Sequence, residues 1–143
     1  KPKGQDMPIL TTAELDRASA HALLARVESL PTSPARETWV AALTRGMEAR
    51  AGGTMRAWME AHDGQDVHTL QATVTNERTH VGEVRSVWQP GARTVDASRA
   101  GGVQLDGSRR DYAGCRVVSA SDDVLIVATT WGEDRQVMVY VTA

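Results

Sequence analysis

Valine is distributed very unevenly along this chain, and that distribution limits what the chain can fold into. Fourteen of the sixteen valines follow Gly64, whereas four of the five methionines and most of the leucines precede it. β-branched residues pack well in strands and lose rotamer freedom in helices, whereas leucine, methionine and alanine favour helices. The sequence therefore predicts an α+β fold, with two to three N-terminal helices packed on a mainly antiparallel, meandering sheet of five to seven strands.

Length and charge set the outer limits. A chain of 143 residues is long enough to bury a core as one domain. We expect residues 1–10 to form a flexible stub and 11–143 a single domain, helical over 11–63 and β over 66–143. A net charge of -2 gives no long-range attraction to nucleic acid or anionic lipid. No run of apolar residues is long enough to span a membrane.

Local signals place the helices and strands. Thr11 and Glu14 match a capping box, and Ser33 followed by Pro34 is typical of a second helix start. Helices are expected over 12–30, 34–51 and 54–62. Alternation and turn residues predict strands near 67–75, 80–89, 93–97, 102–105, 115–121, 124–131 and 136–142.

One of these strands constrains the layers of the fold. Both faces of Val124 to Ala128 are apolar, so this strand is expected to be central and buried on both sides. Because the helices are expected to cover only one face, the other must be covered by sheet curvature, a second layer or a partner. Met138 and Tyr140, in a final strand that could offer an edge, are the residues through which we expect self-association or docking.

A small cluster of metal-ligand side chains surrounds the junction between the helical and β halves. It comprises His62, Asp63, Asp66 and His68, and His80 could approach from the next strand. The spacing matches no established ligand pattern, Asp66 is an ordinary turn residue, and by parity His68 faces the packed side. We therefore expect no metal and no cofactor, with His62, Asp66 and His68 as the positions to inspect.

The remaining reactive residues give little support to catalysis. Cys115 opens an apolar strand, which favours an inert thiol, and Asp122 with Asp123 is typical of a polar hairpin turn. No nucleophile elbow, phosphate-binding loop or zinc-protease motif is present. We expect no catalytic residue and a protein that is not an enzyme.

An arginine-rich segment over 93–116 is the candidate for anion or nucleic-acid binding. It includes Arg109 and Arg110, but interspersed aspartates reduce its net charge, so a solvated, salt-bridged loop competes with that interpretation. Trp39 and Trp58, with nearby methionines, are expected to pack the core, because phenylalanine is absent and these are the bulky side chains available to fill the seam between helices and sheet. The alternative is a partner-binding surface, for which methionine and tryptophan are typical residues.

Three functions follow from these patterns. The leading one is a non-catalytic protein–protein interaction or assembly domain, the soluble part of a bacterial envelope or secretion component. One reason is that no catalytic or ligand-binding motif is recognisable. The other is the Lys1-Pro2-Lys3 start, which fits a stub left by a removed signal or anchor and fits an expression tag equally well. The scarcity of lysine relative to arginine points to a high-GC bacterial genome.

The alternatives use other residues. A small-molecule-binding or enzymatic domain would hold its ligand in a pocket of the curved sheet, lined by His68, Trp88 and Trp131. Nucleic-acid binding would use the arginine-rich segment and is disfavoured by the acidic net charge.

Overall fold

The computed structural model describes residues 9–49, 53–80, 82–97, 104–105, 108–109 and 114–142, with side chains of 104–105 and 108–109 left undescribed. This part of the chain forms three N-terminal helices followed by seven strands, which confirms the predicted α+β class. The helices are α1 (Thr12–Glu28), α2 (Pro34–Glu48) and α3 (Met55–Ala61). The strands are β1 (Asp66–Thr75), β2 (Val84–Thr94), β3 (Gln104–Leu105), β4 (Ser108–Arg109), β5 (Arg116–Ala120), β6 (Val124–Trp131) and β7 (Asp134–Thr142).

The helix starts follow the local signals. The Thr11 hydroxyl accepts a hydrogen bond from the backbone N–H of Glu14, whose side chain in turn accepts one from the backbone N–H of Thr11. Ser33 caps α2 in the same way by accepting from the N–H of Arg36, and Pro34 occupies the first turn, where its missing N–H is not needed. Both helices therefore begin where the sequence predicts.

The main sheet is antiparallel and has the strand order β2-β1-β7-β6-β5, while β3 and β4 form a separate two-stranded ribbon. The predicted central position of β6 is confirmed, because β6 pairs with both β7 and β5. The expectation that the final strand offers an edge is wrong, because β7 lies between β1 and β6. The edges of this sheet are β2 and β5.

The strand β2 also differs from its predicted end at Pro90. It continues to Thr94 through Pro90 and Gly91, where Gly91 has a φ of 97°. An edge strand has one side without a ladder, so a proline that lacks an N–H is tolerated there. One register shift against β1 accompanies this passage and a second lies near the start of β2, and such irregularities hinder pairing with another chain.

The two faces of the main sheet are covered differently. On the first face, α1 and α2 pack over β1, β7 and β6 in a cluster that includes Leu23, Leu43 and Ile126. On the second face, α3 packs Met55, Trp58 and Met59 against the cluster that holds Met138 and Tyr140. The expectation that helices cover only one face is therefore wrong.

This arrangement also corrects the expected association surface. Met138 and Tyr140 are both 0% exposed within one chain, so neither is accessible to a partner. The sequence showed that their face needed a cover, but the cover is α3 of the same chain. Trp39 and Trp58 are buried as predicted, and Cys115 is half-buried against the second-face cluster.

A buried ion cluster joins α1 to the sheet. The carboxylate of Asp16 accepts hydrogen bonds from Arg116 Nε at 2.7 Å and Nη2 at 3.1 Å, and it also pairs with Arg135. Arg135 donates further to Asn76 Oδ1 at 3.0 Å. The hydrogen bonds that Arg116 donates to the Asp16 carboxylate raise the pKa of Arg116. Arg116, which the sequence placed at the end of the arginine-rich segment, therefore holds the fold together.

No helix in the described part of the chain has both the length and the apolar character needed to cross a membrane.

Candidate functional site

The candidate site is a groove on the first face of the sheet, where α2 passes over the ends of β1, β2 and β7. It consists of two adjoining cavities. The first, of about 390 Å³, is lined by Ala35, Thr38, Trp39, Ala42, His68, Gln89, Val141 and Thr142. The second, of about 330 Å³, shares Ala35, Trp39 and Gln89 with the first and extends along the α1–α2 connection to Leu30. We call the two cavities together the Trp39 groove.

The groove exists because the helices do not cover the sheet evenly. The C-terminal half of α2 lies close to β6, where a Cβ atom on Gly46 would come within 2.7 Å of Val124 Cγ1. The N-terminal half of α2 presents the small side chains of Ala35 and Thr38 beside the outermost strands instead. Space therefore remains between this half of the helix and β2.

The walls combine an apolar floor with a few polar groups. Trp39, Leu70, Val87 and Val141 supply apolar surface, and Leu30 is a large apolar side chain that is 44% exposed. Apolar walls with a small number of placed polar groups are typical of binding sites.

The polar groups are distributed asymmetrically. His68, Gln89 and Thr142 lie around the first cavity, whereas Arg26 and Arg36 lie along the second. Among the described residues, no aspartate or glutamate lines either cavity. The second cavity therefore has a positive electrostatic character, which favours a ligand that carries a carboxylate.

The two arginines retain capacity to bind an acceptor. Arg36 donates from Nη2 to the carbonyl oxygen of Glu28 at 2.6 Å and pairs with Glu37, but its Nε meets no acceptor. Arg26 makes no ion pair with any residue that the structure describes. A buried donor without an acceptor costs about 1–3 kcal/mol, so a ligand oxygen at Arg36 would relieve this cost.

The structure separates three residues that the sequence placed in one pocket. His68 lines the Trp39 groove on the first face. Trp88 lies opposite Gln71 in the β1–β2 register, which places it on the second face, and Trp131 lies on the second face at the end of β6. A single pocket lined by His68, Trp88 and Trp131 is therefore not formed.

The metal candidates are also kept apart. The two ring nitrogens of His62 lie 2.7 Å from the Trp58 carbonyl oxygen and 2.6 Å from the Asp122 carbonyl oxygen, so neither is left for a metal. Asp66 accepts a hydrogen bond from Thr94, and His68 lies in the groove. Among the described residues, no three histidine, cysteine, aspartate or glutamate side chains converge on one point.

Two further sets of residues were considered from the sequence, the arginine-rich segment and the aspartate pair. The side chain of Arg109 and all of Arg110 lie outside the described residues, so the arginine-rich segment is not tested as an anion site. Asp122 and Asp123 form the β5–β6 turn, where Asp123 pairs with Arg45 at 2.8 Å.

Sequence reasoning missed most of the groove. Trp39 was assigned mainly to core packing, with a partner surface as the alternative, and Arg26, Ala35 and Gln89 were not singled out as site residues. They lie on α1, α2 and β2, and no local pattern connects positions so far apart.

Comparisons of the chain with protein-family models, with curated proteins and with solved structures gave no match. The functional assignment therefore depends on the geometry and chemistry of the residues themselves.

Proposed function

We propose that this chain is a non-catalytic protein–protein interaction domain that binds a partner segment in the Trp39 groove. The observation that carries the proposal is the junction of two apolar cavities at Trp39, with arginines along one of them and no acidic lining residue. A groove of this form suits a peptide better than a compact molecule, because a peptide can fill two adjoining cavities with separate side chains.

The chemistry of the groove specifies the segment. Two apolar side chains would occupy the two cavities on either side of Trp39. A carboxylate next to one of them would meet Arg26 and Arg36, whose guanidinium groups suit carboxylate geometry. The preferred partner is therefore a short segment with two apolar residues and a neighbouring aspartate or glutamate.

A displayed random-peptide library tests this assignment. Peptides are selected on the unmodified protein and then measured against Ala35→Glu, which places a bulky negative charge where both cavities meet. Ala35 is exposed and lies in the first turn of α2, where an acidic residue suits the helix dipole, so the variant is expected to fold. Ala41→Glu is the matched control, since Ala41 is exposed on the same helix and lines neither cavity.

The expected result is a selected motif with two apolar residues and an acidic one, bound at least ten-fold more weakly by Ala35→Glu than by Ala41→Glu. Selected peptides that bind Ala35→Glu as tightly as the unmodified protein would contradict the proposal.

One observation favours a second candidate, a small-molecule-binding domain. The first cavity alone has about 390 Å³, within the range of small-ligand sites, and His68 and Gln89 supply polar groups beside its apolar floor. Mass spectrometry of organic extracts from the purified protein tests it. A stoichiometric apolar compound that is absent from extracts of a Thr38→Trp variant, which fills the cavity, is the expected result.

Membership of a bacterial envelope or secretion component stays a prediction. The gene sequence upstream of Lys1 tests it directly: a signal peptide, lipobox or membrane span would support it, and an initiator methionine immediately before Lys1 would count against it.

A further inference from the structure

The second face of the sheet has an outer half that α3 does not cover, and it differs in chemistry from the covered half. The covered half holds the buried apolar cluster around Met138 and Tyr140. The outer half is flanked by two tryptophans, Trp88 at 40% exposure on β2 and Trp131 at 73% exposure on β6. These are the most exposed aromatic side chains of the described chain, and neither contributes to a core cluster.

The cross-strand register fixes the distance between these two tryptophans. Trp88 is in line with Gln71, Met138 and Val127 across the sheet, and Trp131 lies four residues beyond Val127 along β6. Three strand spacings and four residue steps amount to ~14 Å and ~13 Å, so the Cα atoms of the two tryptophans are separated by ~19 Å on one face. A single sugar ring or a single side chain cannot reach both.

Neutral polar side chains lie between the two tryptophans. The register aligns Thr73, Gln136 and Thr129 in one row across three strands, and Gln71 lies in the adjacent row beside Trp88. The side-chain oxygens of Gln71 and Gln136 are buried beneath this surface and accept no hydrogen bond from any described residue. Each amide needs a hydrogen-bond donor that this part of the chain does not supply.

The charge of this surface is balanced. Between the tryptophans, the described side chains of Arg85 and Asp134 form an ion pair with each other. Among the described residues between the two tryptophans, no other arginine or lysine is present to attract phosphate, which disfavours nucleic acid as the ligand. The polar row between the tryptophans also disfavours an apolar peptide, because such a peptide would leave the threonine and glutamine side chains without partners.

We infer that this surface binds a neutral oligosaccharide chain. The C–H faces of sugar rings would stack on the indoles of Trp88 and Trp131. Ring hydroxyls, which both donate and accept, would meet the threonine hydroxyls and the part-exposed amide groups of the glutamines between them. The electrically neutral surface matches an uncharged polyhydroxylated chain, and the separation of the indoles requires a chain of several sugars.

Isothermal titration calorimetry with cellohexaose, xylohexaose and mannohexaose, each beside its monosaccharide, tests this inference. At least one hexasaccharide is expected to bind saturably and to change the tryptophan emission, with affinity at least ten-fold above that of its monosaccharide. Trp88→Ala and Trp131→Ala are each expected to lower that affinity by up to ten-fold, and the double variant to abolish binding.

Two controls keep the result interpretable. Leu30→Ala removes an exposed apolar side chain from the Trp39 groove on the opposite face and is expected to leave saccharide binding unchanged. Circular dichroism establishes that the tryptophan variants remain folded, as expected for exposed positions. The inference is overturned if no hexasaccharide binds, if the double variant binds as the unmodified protein does, or if Leu30→Ala weakens binding as much as Trp88→Ala.

Discussion

Replacing Asp16 with alanine is expected to destabilise this protein more than any single change at its surface. Asp16 is 3% exposed and is the carboxylate partner of two arginines that reach it from β5 and β7. Arg135 is also 3% exposed, and after the substitution its remaining described partner is the side chain of Asn76. The variant would therefore leave a guanidinium buried without a counter-charge.

The magnitude follows from that burial. Removing one partner of a buried ion pair costs about 3–5 kcal/mol, because the other charge stays desolvated. Domains of this size have a total unfolding free energy of about 5–15 kcal/mol. At about 2–4 °C per kcal/mol, the melting temperature should fall by about 6–20 °C.

Urea unfolding followed by tryptophan fluorescence and far-UV circular dichroism measures this loss. Asp123→Ala is the matched control, because it breaks the exposed pair with Arg45 and should cost no more than about 1 kcal/mol. If Asp16→Ala unfolds within about 1 kcal/mol of the unmodified protein, or if the two variants lose equal stability, the assigned role of the buried cluster is refuted.

Three further predictions use other parts of the fold. Gly46→Ala should lower the unfolding free energy by about 1 kcal/mol or more, because overpacking against the fully buried Val124 outweighs the gain in helix propensity. A variant that is more stable than the unmodified protein in urea unfolding would contradict this. Burial raises the pKa of Asp123, but hydrogen bonds from Arg45 and a serine hydroxyl outweigh it and lower the pKa below its ordinary value of 3.8. The stability that the Asp123–Arg45 pair contributes is therefore complete above the ordinary pKa of 3.8 and is lost as the pH falls through the lower folded pKa. The difference in unfolding free energy between the unmodified protein and Arg45→Ala should shrink when urea unfolding is repeated at increasingly acidic pH. Cys115 should react with N-ethylmaleimide at least ~10-fold more slowly in the folded than in the urea-unfolded protein, because it packs against the second-face cluster. Rapid reaction of Cys115 in the folded protein would contradict that packing.

The parts of the fold that depend on neighbouring residues were predictable from the sequence. The capping box at Thr11 and the proline at the start of α2 are local devices, and they place two helix starts correctly. The apolar character of both faces of β6 likewise predicts its central position, since only a strand covered on both sides tolerates it.

The parts that depend on distant contacts were not predictable in the same way. Nothing near α3 shows that it packs on the face opposite α1 and α2, because a short apolar stripe fits either face equally well. The register shifts between β1 and β2 arise from pairing, so the sequence could not place the final residues of β2.

The candidate site shows the same division. His68 was singled out because a histidine on an apolar strand face is unusual. Its neighbours in the groove come from α2 and β2, and only the packing of the helices on the sheet brings them together. Trp88 and Trp131 were also singled out. Alternation within a strand does not show that they lie on the same face of the sheet, because that depends on how the strands pair.

The central position of β7 has a consequence for the order in which the molecule folds. β1 pairs with β2 and β5 pairs with β6 across short connections, so each pair is complete soon after it leaves the ribosome. β7 alone joins these two pairs, and its contact between Val67 and Thr142 closes a long loop. The ribosome must therefore release β7 before the sheet can form. Until then the apolar face of β6 is exposed, and slow translation or delayed release would raise the risk of aggregation.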